Sequence, residues 1–280
     1  MRRNWPDVRA QVLSVDTVLP EAEANVATSG DTAHVLAKRA TARGQRFYFV
    51  QDFEPFFYPR GAEYSLAEAT YSFGFRGITA GRWLADLLTL EYGMACESFE
   101  FGTDLDVYKV LNVERRSGVV FYSKPGAPRR AHALGVLAMQ RFSELRPDVA
   151  IHVFGNESTD LPFTARHHGV LSPAKLNDLY NECAAGLSLS FTNASLLPWE
   201  LLACGVAPVV NDAPHNRKVL RAPGVGWSAA TPSAIAAAMG AAVDGRTPTP
   251  QRLAEGVRGL TWDAAGAWVV AAVERKVYRG

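Results

Sequence analysis

The stretch SFTNASLLPWELLACGVAPVV, residues 190–210, decides the fold of this chain. An apolar run ends in small polar residues, Pro198 marks the first turn of a helix, and Gly205 ends that helix before a second apolar run. This pattern is typical of the carboxyl edge of a parallel sheet, where open α/β folds bind anionic ligands. Glu200 is the single carboxylate of the stretch, and it is either a ligand-binding group or a partner of the helix dipole.

Outward from this stretch, short apolar runs alternate with helical stretches, which predicts parallel βαβ units. The predicted strands are residues 11–15, 46–52, 77–80, 98–102, 118–123, 150–155, 186–191 and 207–211. The predicted helices are residues 32–43 behind an Asp31 cap, 82–92, 130–145, two that begin after Ser172 and Thr231, and 262–278. A polar connector between two of the runs places a lobe boundary near residue 112.

Length and composition exclude several classes of protein. A chain of 280 residues predicts two compact lobes, or one and a fraction. Because 29 Lys and Arg nearly balance 28 Asp and Glu, the chain has no global field for holding a nucleic acid. Three separate cysteines without a CxxC pair favour neither a disulfide scaffold nor a zinc site. No apolar region follows the two basic residues at the start of the sequence, and no apolar run approaches the length of a membrane span, so we expect a cytoplasmic protein.

A second constellation is FYSKPGAPRR, residues 121–130, where a predicted strand runs through a turn into a helix. Lys124, Arg129 and Arg130 carry positive charge close to the positive end of that helix, an unfavourable position unless an anion binds between them. A phosphate group would satisfy all three cations. The alternative is an exposed, solvated turn.

An aromatic block covers residues 47–75. Aromatic side chains stack on sugars, but they equally fill the core of a small lobe. Gln51, Asp52 and Glu54 follow a predicted strand within this block, so we expect these polar groups to face the crevice between the lobes. The alternative for Asp52 is a turn-forming role before Pro55. Spacing alone assigns no pair of carboxylates as acid and base.

Residues 190–210 resemble the donor-binding signature of GT-B glycosyltransferases of the retaining family 4. That signature reads Glu, seven residues, Glu, and then a helix similar to ALACG-x-PVV. The second Glu matches Glu200, whereas the first falls on Thr192, which departs from the family pattern. Four further segments resemble family elements in the same order, namely residues 101–108, 120–130, 153–155 and 168–180.

The sequence motifs resemble even more closely those of a subgroup of bacterial rhamnosyltransferases that use dTDP-L-rhamnose. The similar segments are YFVQDFEPFFYP at 48–59, TYSFGF at 70–75, the pair Arg129-Arg130, and residues 190–200. This subgroup also has the motif TN-x-S in place of the first Glu, so Thr192 is interpreted as a feature of the subgroup.

The resemblance implies a fold of two Rossmann-like parallel-sheet lobes, the α/β fold called GT-B, with a shortened N-terminal lobe. Residues 1–112 would form the acceptor-side lobe and residues 113–265 the nucleotide-sugar-binding lobe. Residues 266–280 would form a helix that crosses back to the first lobe.

The reaction that the resemblance implies moves a sugar, expected to be L-rhamnose, from a dTDP-sugar to a hydroxyl of a bacterial surface polysaccharide. Lys124, Arg129 and Glu200 would be catalytic, because charge accumulates on the departing diphosphate. The implied nucleotide-sugar contacts are Arg130, His168, Gly169, Val170, Leu171, Thr192, Asn193, Ser195 and Glu200, with Gln51, Asp52 and Glu54 in the acceptor cleft.

Several negative expectations and two other functions accompany this interpretation. We expect no cofactor and no metal, since cationic side chains can replace a metal ion, and at most peripheral membrane contact. The expected partners are a nucleotide-sugar donor and a saccharide acceptor, with no nucleic acid. The alternatives are a nucleotide-sugar epimerase and a non-catalytic subunit that binds a nucleotide sugar or a glycan.

Overall fold

A computed structural model describes residues 9–14, 21–39, 44–111, 116–156 and 160–278 of the chain. It contains two parallel sheets, one from each half of the sequence. The N-terminal sheet has the order β1-β2-β3-β4, and its strands are β1 Ala24–Ala27, β2 Gln45–Val50, β3 Arg76–Ala80 and β4 Cys96–Phe99. Every neighbouring pair in it is parallel, as the βαβ pattern predicts.

The C-terminal sheet has the order β10-β9-β8-β5-β6-β7. Its strands are β5 Gly118–Ser123, β6 Ile151–Gly155, β7 Arg166–His167, β8 Cys183–Ser188, β9 Ala207–Asn211 and β10 Gly226–Ser228. The chain order reverses between β5 and β8, so the loops that follow these two strands diverge at the carboxyl edge. Such a switch point is where open α/β sheets bind ligands.

Ten α-helices connect and cover the described strands. They are α1 Gly30–Lys38, α2 Ala62–Ala69, α3 Arg82–Tyr92, α4 His132–Leu145, α5 Pro173–Glu182, α6 Leu197–Ala203, α7 Pro214–Val219, α8 Pro232–Val243, α9 Pro250–Glu255 and α10 Trp262–Tyr278. Among the residues that the structure describes, every helix is too short or too polar to cross a bilayer.

The best-predicted elements are those with strong end signals. The bounds of β5, β9, α3 and α10 are as predicted. Ser172 and Thr231 are N-caps with Pro at the first helical turn, which confirms both predicted helix starts. Gly93 takes the left-handed conformation after α3, also as predicted.

Other predicted bounds are wrong. The cap of α1 is Ser29 and not Asp31, because Ser29 and Thr32 form a reciprocal capping box. Residues 11–14 carry no regular structure, and residue 15 lies outside the described residues. The first strand is β1, a short edge strand that is exposed on part of its length and therefore lacks the apolar run of a buried strand.

Two more predicted bounds shift for local reasons. The helix predicted from residue 130 begins at His132, because Ala131 has a positive φ of 49° after a 3₁₀ turn at Pro128–Arg130. The strand predicted over 186–191 is β8, which begins three residues earlier with the small residues Cys183 and Ala184.

One apolar core continues from one sheet to the other. Phe101, just after β4, stacks on Trp199 of α6 with ring centroids 4.6 Å apart. Gly81 lies so close to Val219 that a Cβ would approach its side chain to 2.6 Å. The two lobes are therefore packed against each other, and the carboxyl edges of their sheets face a common space.

The last helix joins the lobes a second time. It begins next to the connector, where the Thr103 amide donates to the Leu260 carbonyl at 2.8 Å. It then runs along the N-terminal sheet, where Arg275 pairs with Glu97 at 2.7 Å and the Tyr278 hydroxyl bonds to Glu23. The lobe boundary predicted near residue 112 falls in 112–115, outside the described residues.

We predict that Gly205→Ala lowers the free energy of unfolding by about 2–4 kcal/mol. Gly205 has a φ of 73°, and a Cβ there would lie 2.8 Å from Cα of Pro250, so left-handed strain adds to overpacking. Gly93→Ala is the matched control, since Gly93 has a φ of 64° with open space around its Cβ position. Urea unfolding should show a clearly smaller loss for the control, and equal losses would contradict the role of the Pro250 contact.

Candidate functional site

A cleft of about 1330 Å³ separates the carboxyl edges of the two sheets. Its walls come from α1, α2, the residues after β2 and β4, the turn after β5, the loop after β8, and α10. Several large apolar side chains line it while remaining partly exposed: Phe57, Tyr58, Leu66, Leu196, Trp262 and Val270. A concave, mostly apolar site with a few polar groups is the usual form of a ligand-binding cleft.

Asp52 links the two lobes at the inner end of this cleft. One of its oxygens, Oδ1, accepts hydrogen bonds from the amides of Asn193 at 2.8 Å and Phe53 at 2.9 Å. The other, Oδ2, accepts the hydroxyl of Thr192 at 3.0 Å. Asp52 follows β2 and is only 8% exposed, and it is held by the loop that follows β8 on the other lobe.

The side chain of Asn193 strengthens the same link. Its Nδ2 donates to the backbone carbonyl of Gln51 at 2.9 Å and to that of Ala80 at 2.8 Å. Both carbonyls lie at the carboxyl edge of the N-terminal sheet. The carboxamide oxygen accepts the amide of Ala194 at 3.1 Å, so every polar atom of this buried side chain is used.

Buried amides hold the loop after β8 from behind. The Ser190 amide donates to Asn211 Oδ1 at 2.8 Å, and the Ser190 carbonyl accepts Asn211 Nδ2 at 2.7 Å. The same carbonyl bonds to His215 Nε2 at 2.8 Å and to Asn216 Nδ2 at 3.2 Å. Burial lowers the pKa of His215. The loop therefore keeps its shape through fixed partners within its own lobe.

The two adjacent arginines of the turn after β5 have different surroundings. Arg129 lines the cleft, with Nε 3.6 Å from Asp52 Oδ2 and Cζ 4.3 Å above the ring of Phe57. Its Nε has no hydrogen-bond partner among the described residues. Arg130 also reaches the cleft wall, but it donates to Ser190 Oγ at 2.6 Å and to the Asn193 carbonyl at 3.1 Å. Burial lowers the pKa of Arg130.

Glu54 is tied to the N-terminal lobe. Its Oε2 accepts the amide of Gly30 at 2.8 Å at the start of α1, and its Oε1 accepts the Tyr48 hydroxyl at 3.0 Å. Burial raises the pKa of Glu54 above its ordinary value, although both hydrogen bonds oppose that shift. Glu54 thus lines the cleft while also closing the N-terminus of a helix.

Glu200 lies in the first turn of α6, outside the wall of the cleft. Its Oε2 accepts the hydroxyl of the fully buried Tyr180 at 3.4 Å. Burial raises the pKa of Glu200 to about 7, and the Tyr180 hydrogen bond opposes that shift. Tyr108 of the connector stacks on Tyr180, with ring centroids 6.1 Å apart. An aromatic pocket therefore leaves Glu200 easy to protonate near neutral pH.

The segment 168–171 follows β7 and is pinned to the end of β6. His168 donates its amide to Val153 at 2.9 Å, and the Gly169 carbonyl accepts the amide of Gly155 at 2.8 Å. The imidazoles of His168 and His152 also bond, Nε2 to Nδ1, at 3.0 Å. Val170 is 84% exposed at the tip of this loop.

The structure brings together part of the predicted site. Among the described residues, Gln51, Asp52, Glu54, Arg129, Arg130 and Ser195 line the cleft, and Thr192 and Asn193 lie buried against Asp52. Lys124, Glu200 and the four residues His168, Gly169, Val170 and Leu171 lie outside the cleft wall, on the C-terminal lobe.

Sequence reasoning missed two kinds of residue. Trp262 lines the cleft at the start of α10, a position that follows from where the helix crosses and not from any local pattern. Asn211 and Asn216 brace the loop after β8. The available signal for Asn211 was an amide at the end of a buried strand, where a polar residue needs a partner. Asn216 lies in α7 and offered no such signal.

The sequence of this chain is similar to a known domain family and to a known polysaccharide-synthesis protein. Residues 117–240 match the family of the WsaF C-terminal domain. The O-antigen biosynthesis protein RfbC of Myxococcus xanthus is 33% identical over 259 residues. That match covers 88% of this chain and 20% of RfbC, so the chain spans about a fifth of that relative.

Solved structures with low sequence identity have the same fold. Sucrose-phosphate synthase of Thermosynechococcus elongatus superposes with a TM-score of 0.74 at 13% identity, over 92% of this chain and 74% of the synthase. Alr3699/HepE of Anabaena, in complex with UDP, gives 0.70 at 12% identity, over 89% of this chain and 78% of HepE. The chain has the GT-B fold, which confirms the fold predicted from the sequence.

We predict that Glu200 makes the protein less stable as the pH rises from about 4.5 to about 7. The folded state holds the Glu200 proton up to a pKa of about 7, whereas the ordinary value is 4.5. In this window the folded state therefore binds more protons than the unfolded state, and stability falls with rising pH, by as much as about 3 kcal/mol.

Glu200→Gln should remove this dependence. Urea unfolding at pH 5 and pH 8 should show that the gain in stability of the variant over the unmodified protein is much larger at pH 8 than at pH 5. An equal difference at both values would contradict a raised pKa for Glu200.

Proposed function

We propose that this chain is a glycosyltransferase unit of surface-polysaccharide synthesis. It transfers L-rhamnose from dTDP-L-rhamnose to a hydroxyl of a growing bacterial glycan. The name of RfbC, an O-antigen biosynthesis protein, supports the type of product. The complex of HepE with UDP-glucose, a protein of the same fold, supports a nucleotide-sugar donor. The motifs around Asp52 and Asn193 resemble those of the rhamnosyltransferase subgroup, which supports L-rhamnose as the sugar and dTDP as the nucleotide of the donor.

One arrangement carries the proposal: an arginine that lines the interlobe cleft lies in the turn after β5, at the switch point of the C-terminal sheet. Arg129 is oriented by Phe57 and Asp52, and its Nε has no partner within the described part of the chain. A leaving diphosphate gains negative charge as the glycosidic bond breaks, and a preoriented cation stabilises that charge.

The other predicted residues have roles that follow from where they lie. Lys124, on the same turn as Arg129, adds a second positive charge toward the diphosphate, so that no metal ion is required. Arg130 acts mainly through the loop after β8, because it holds Ser190 and the Asn193 carbonyl. Thr192 and Asn193 shape that loop for the sugar donor, and Ser195 bonds to the diphosphate or to the sugar.

The nucleoside end of the sugar donor is assigned to the C-terminal lobe alone. Glu200 accepts a hydrogen bond from the one free hydroxyl of the deoxyribose. Because the pKa of Glu200 is about 7, this contact is stronger above that pH, where the carboxylate is ionised. The loop 168–171 holds the base through its backbone groups. Gln51 and Glu54, across the cleft, face the saccharide acceptor together with the exposed aromatic side chains of the mouth.

The proposal is tested by incubating the purified chain with dTDP-L-rhamnose, with and without bacterial polysaccharide, and measuring dTDP. We expect acceptor-dependent release of dTDP. Binding of dTDP-L-rhamnose and of UDP-glucose without any release would point to a non-catalytic binding subunit. Conversion of the sugar nucleotide without release of dTDP would point to an epimerase.

We predict that Arg129→Ala weakens binding of dTDP by about 1–3 kcal/mol, roughly 5- to 150-fold, the scale of a lost charge-assisted contact. Isothermal titration calorimetry measures this loss. Arg141→Ala is the control, because Arg141 is an exposed arginine of α4 that pairs with Glu144 at 2.8 Å. An unchanged dissociation constant for Arg129→Ala would remove the diphosphate role.

A further inference from the structure

Asp52 is a carboxylate in a place where the proposed reaction otherwise calls for positive charge. It lines the cleft, next to Arg129 and directly against Thr192 and Asn193. An ionised carboxylate has about four acceptor positions. Three of them are taken, by the amides of Phe53 and Asn193 and by the Thr192 hydroxyl. About one acceptor position on Oδ2 is left for a group that enters from the cleft.

The chemistry of that remaining position selects its ligand. A phosphate oxygen carries negative charge and offers no proton, so it is repelled by Asp52. A sugar hydroxyl donates a hydrogen bond and carries no charge, so it fits. The diphosphate must therefore lie on the far side of the Arg129 guanidinium, and the group nearest to Asp52 is the sugar.

The carboxylate is also held rigidly enough to orient a substrate. Two amides and a hydroxyl fix both of its oxygens, and the donors come from both lobes. Arg129 lies 3.6 Å away and balances its charge. Such a group can bind a ligand without first paying the entropy of being ordered.

We propose that Asp52 is the residue of the N-terminal lobe that binds the transferred sugar, by accepting a hydrogen bond from one of its hydroxyls. This inference rests on the proposed function, because it takes a nucleotide sugar as the ligand. The loop after β8 offers no carboxylate facing Asp52, because it has Thr192 where the resembled family signature has a Glu. The role of Asp52 also makes the sugar contact dependent on the lobes being together.

The test compares binding of dTDP with binding of dTDP-L-rhamnose by calorimetry. In Asp52→Asn, we expect the ratio of the dissociation constant for dTDP-L-rhamnose to that for dTDP to rise at least tenfold. The dissociation constant for dTDP itself should stay within about threefold. Turnover should fall at least tenfold at saturating sugar donor, since the sugar is then poorly oriented.

A matched control separates sugar binding from lobe attachment. Asp86 also connects the lobes, since its Oδ2 pairs with Lys218 at 2.6 Å, from α3 to α7 and outside the cleft. Asp86→Asn should leave the ratio of the two dissociation constants unchanged. If Asp52→Asn weakens dTDP and dTDP-L-rhamnose by the same factor, Asp52 only ties the lobes and the inference is overturned.

A second variant keeps the test valid should Asp52→Asn lose its fold. The exchange Asp52→Ser with Thr192→Glu moves the carboxylate to the facing lobe, so it should recover part of the sugar preference that Asp52→Ser alone loses. No recovery, with an intact thermal transition, counts against the inference. A raised KM for the acceptor with an unchanged ratio would assign the hydroxyl to the acceptor and overturn it as well. Failure of the unmodified protein to bind any dTDP compound would instead refute the proposed function.

Discussion

A carboxylate buried between two lobes is the constraint on which the rest of this site depends. Removing a charge from water costs several kcal/mol unless hydrogen bonds and an opposite charge compensate for it. Asp52 finds that compensation in Phe53 of its own lobe and in Asn193, Thr192 and Arg129 of the other. The N-terminal lobe alone leaves Asp52 with one of these four partners, so the arrangement with both lobes in contact is the one in which this charge is satisfied.

The constraint acts on a loop that is already fixed from behind. Ser190 is bonded through both backbone groups to Asn211, and Arg130 joins Ser190 to the carbonyl of Asn193. Because these bonds lie within the C-terminal lobe, the loop does not need the other lobe to hold its shape. Because the loop is already ordered, its contact with the Asp52 carboxylate is specific and costs little further conformational entropy.

Local signals in the sequence predicted most of the elements, and they failed where distant parts of the chain decide. The prolines after Ser172 and Thr231 mark two helix starts, and Gly93 marks a helix end. These signals are reliable because each residue restricts the backbone of its own neighbours. The capping box of Ser29 was overlooked because Asp31 offers a competing local pattern. The segments around Asp52 and Thr192 each predict a site residue, but the contact between the two joins positions 140 apart and follows only from how the two lobes face each other. The same holds for Trp262, which reaches the cleft through the crossing of α10.

The connector and the start of the last helix have a mechanical consequence. The chain passes between the lobes twice, and the two passages run side by side, with Thr103 bridged to Thr261 and its amide bonded to the Leu260 carbonyl. Two covalent passages joined by a hydrogen bond oppose rotation of one lobe relative to the other, which a single connection would allow. The second passage therefore keeps Asp52 aligned with Thr192 and Asn193 of the facing loop.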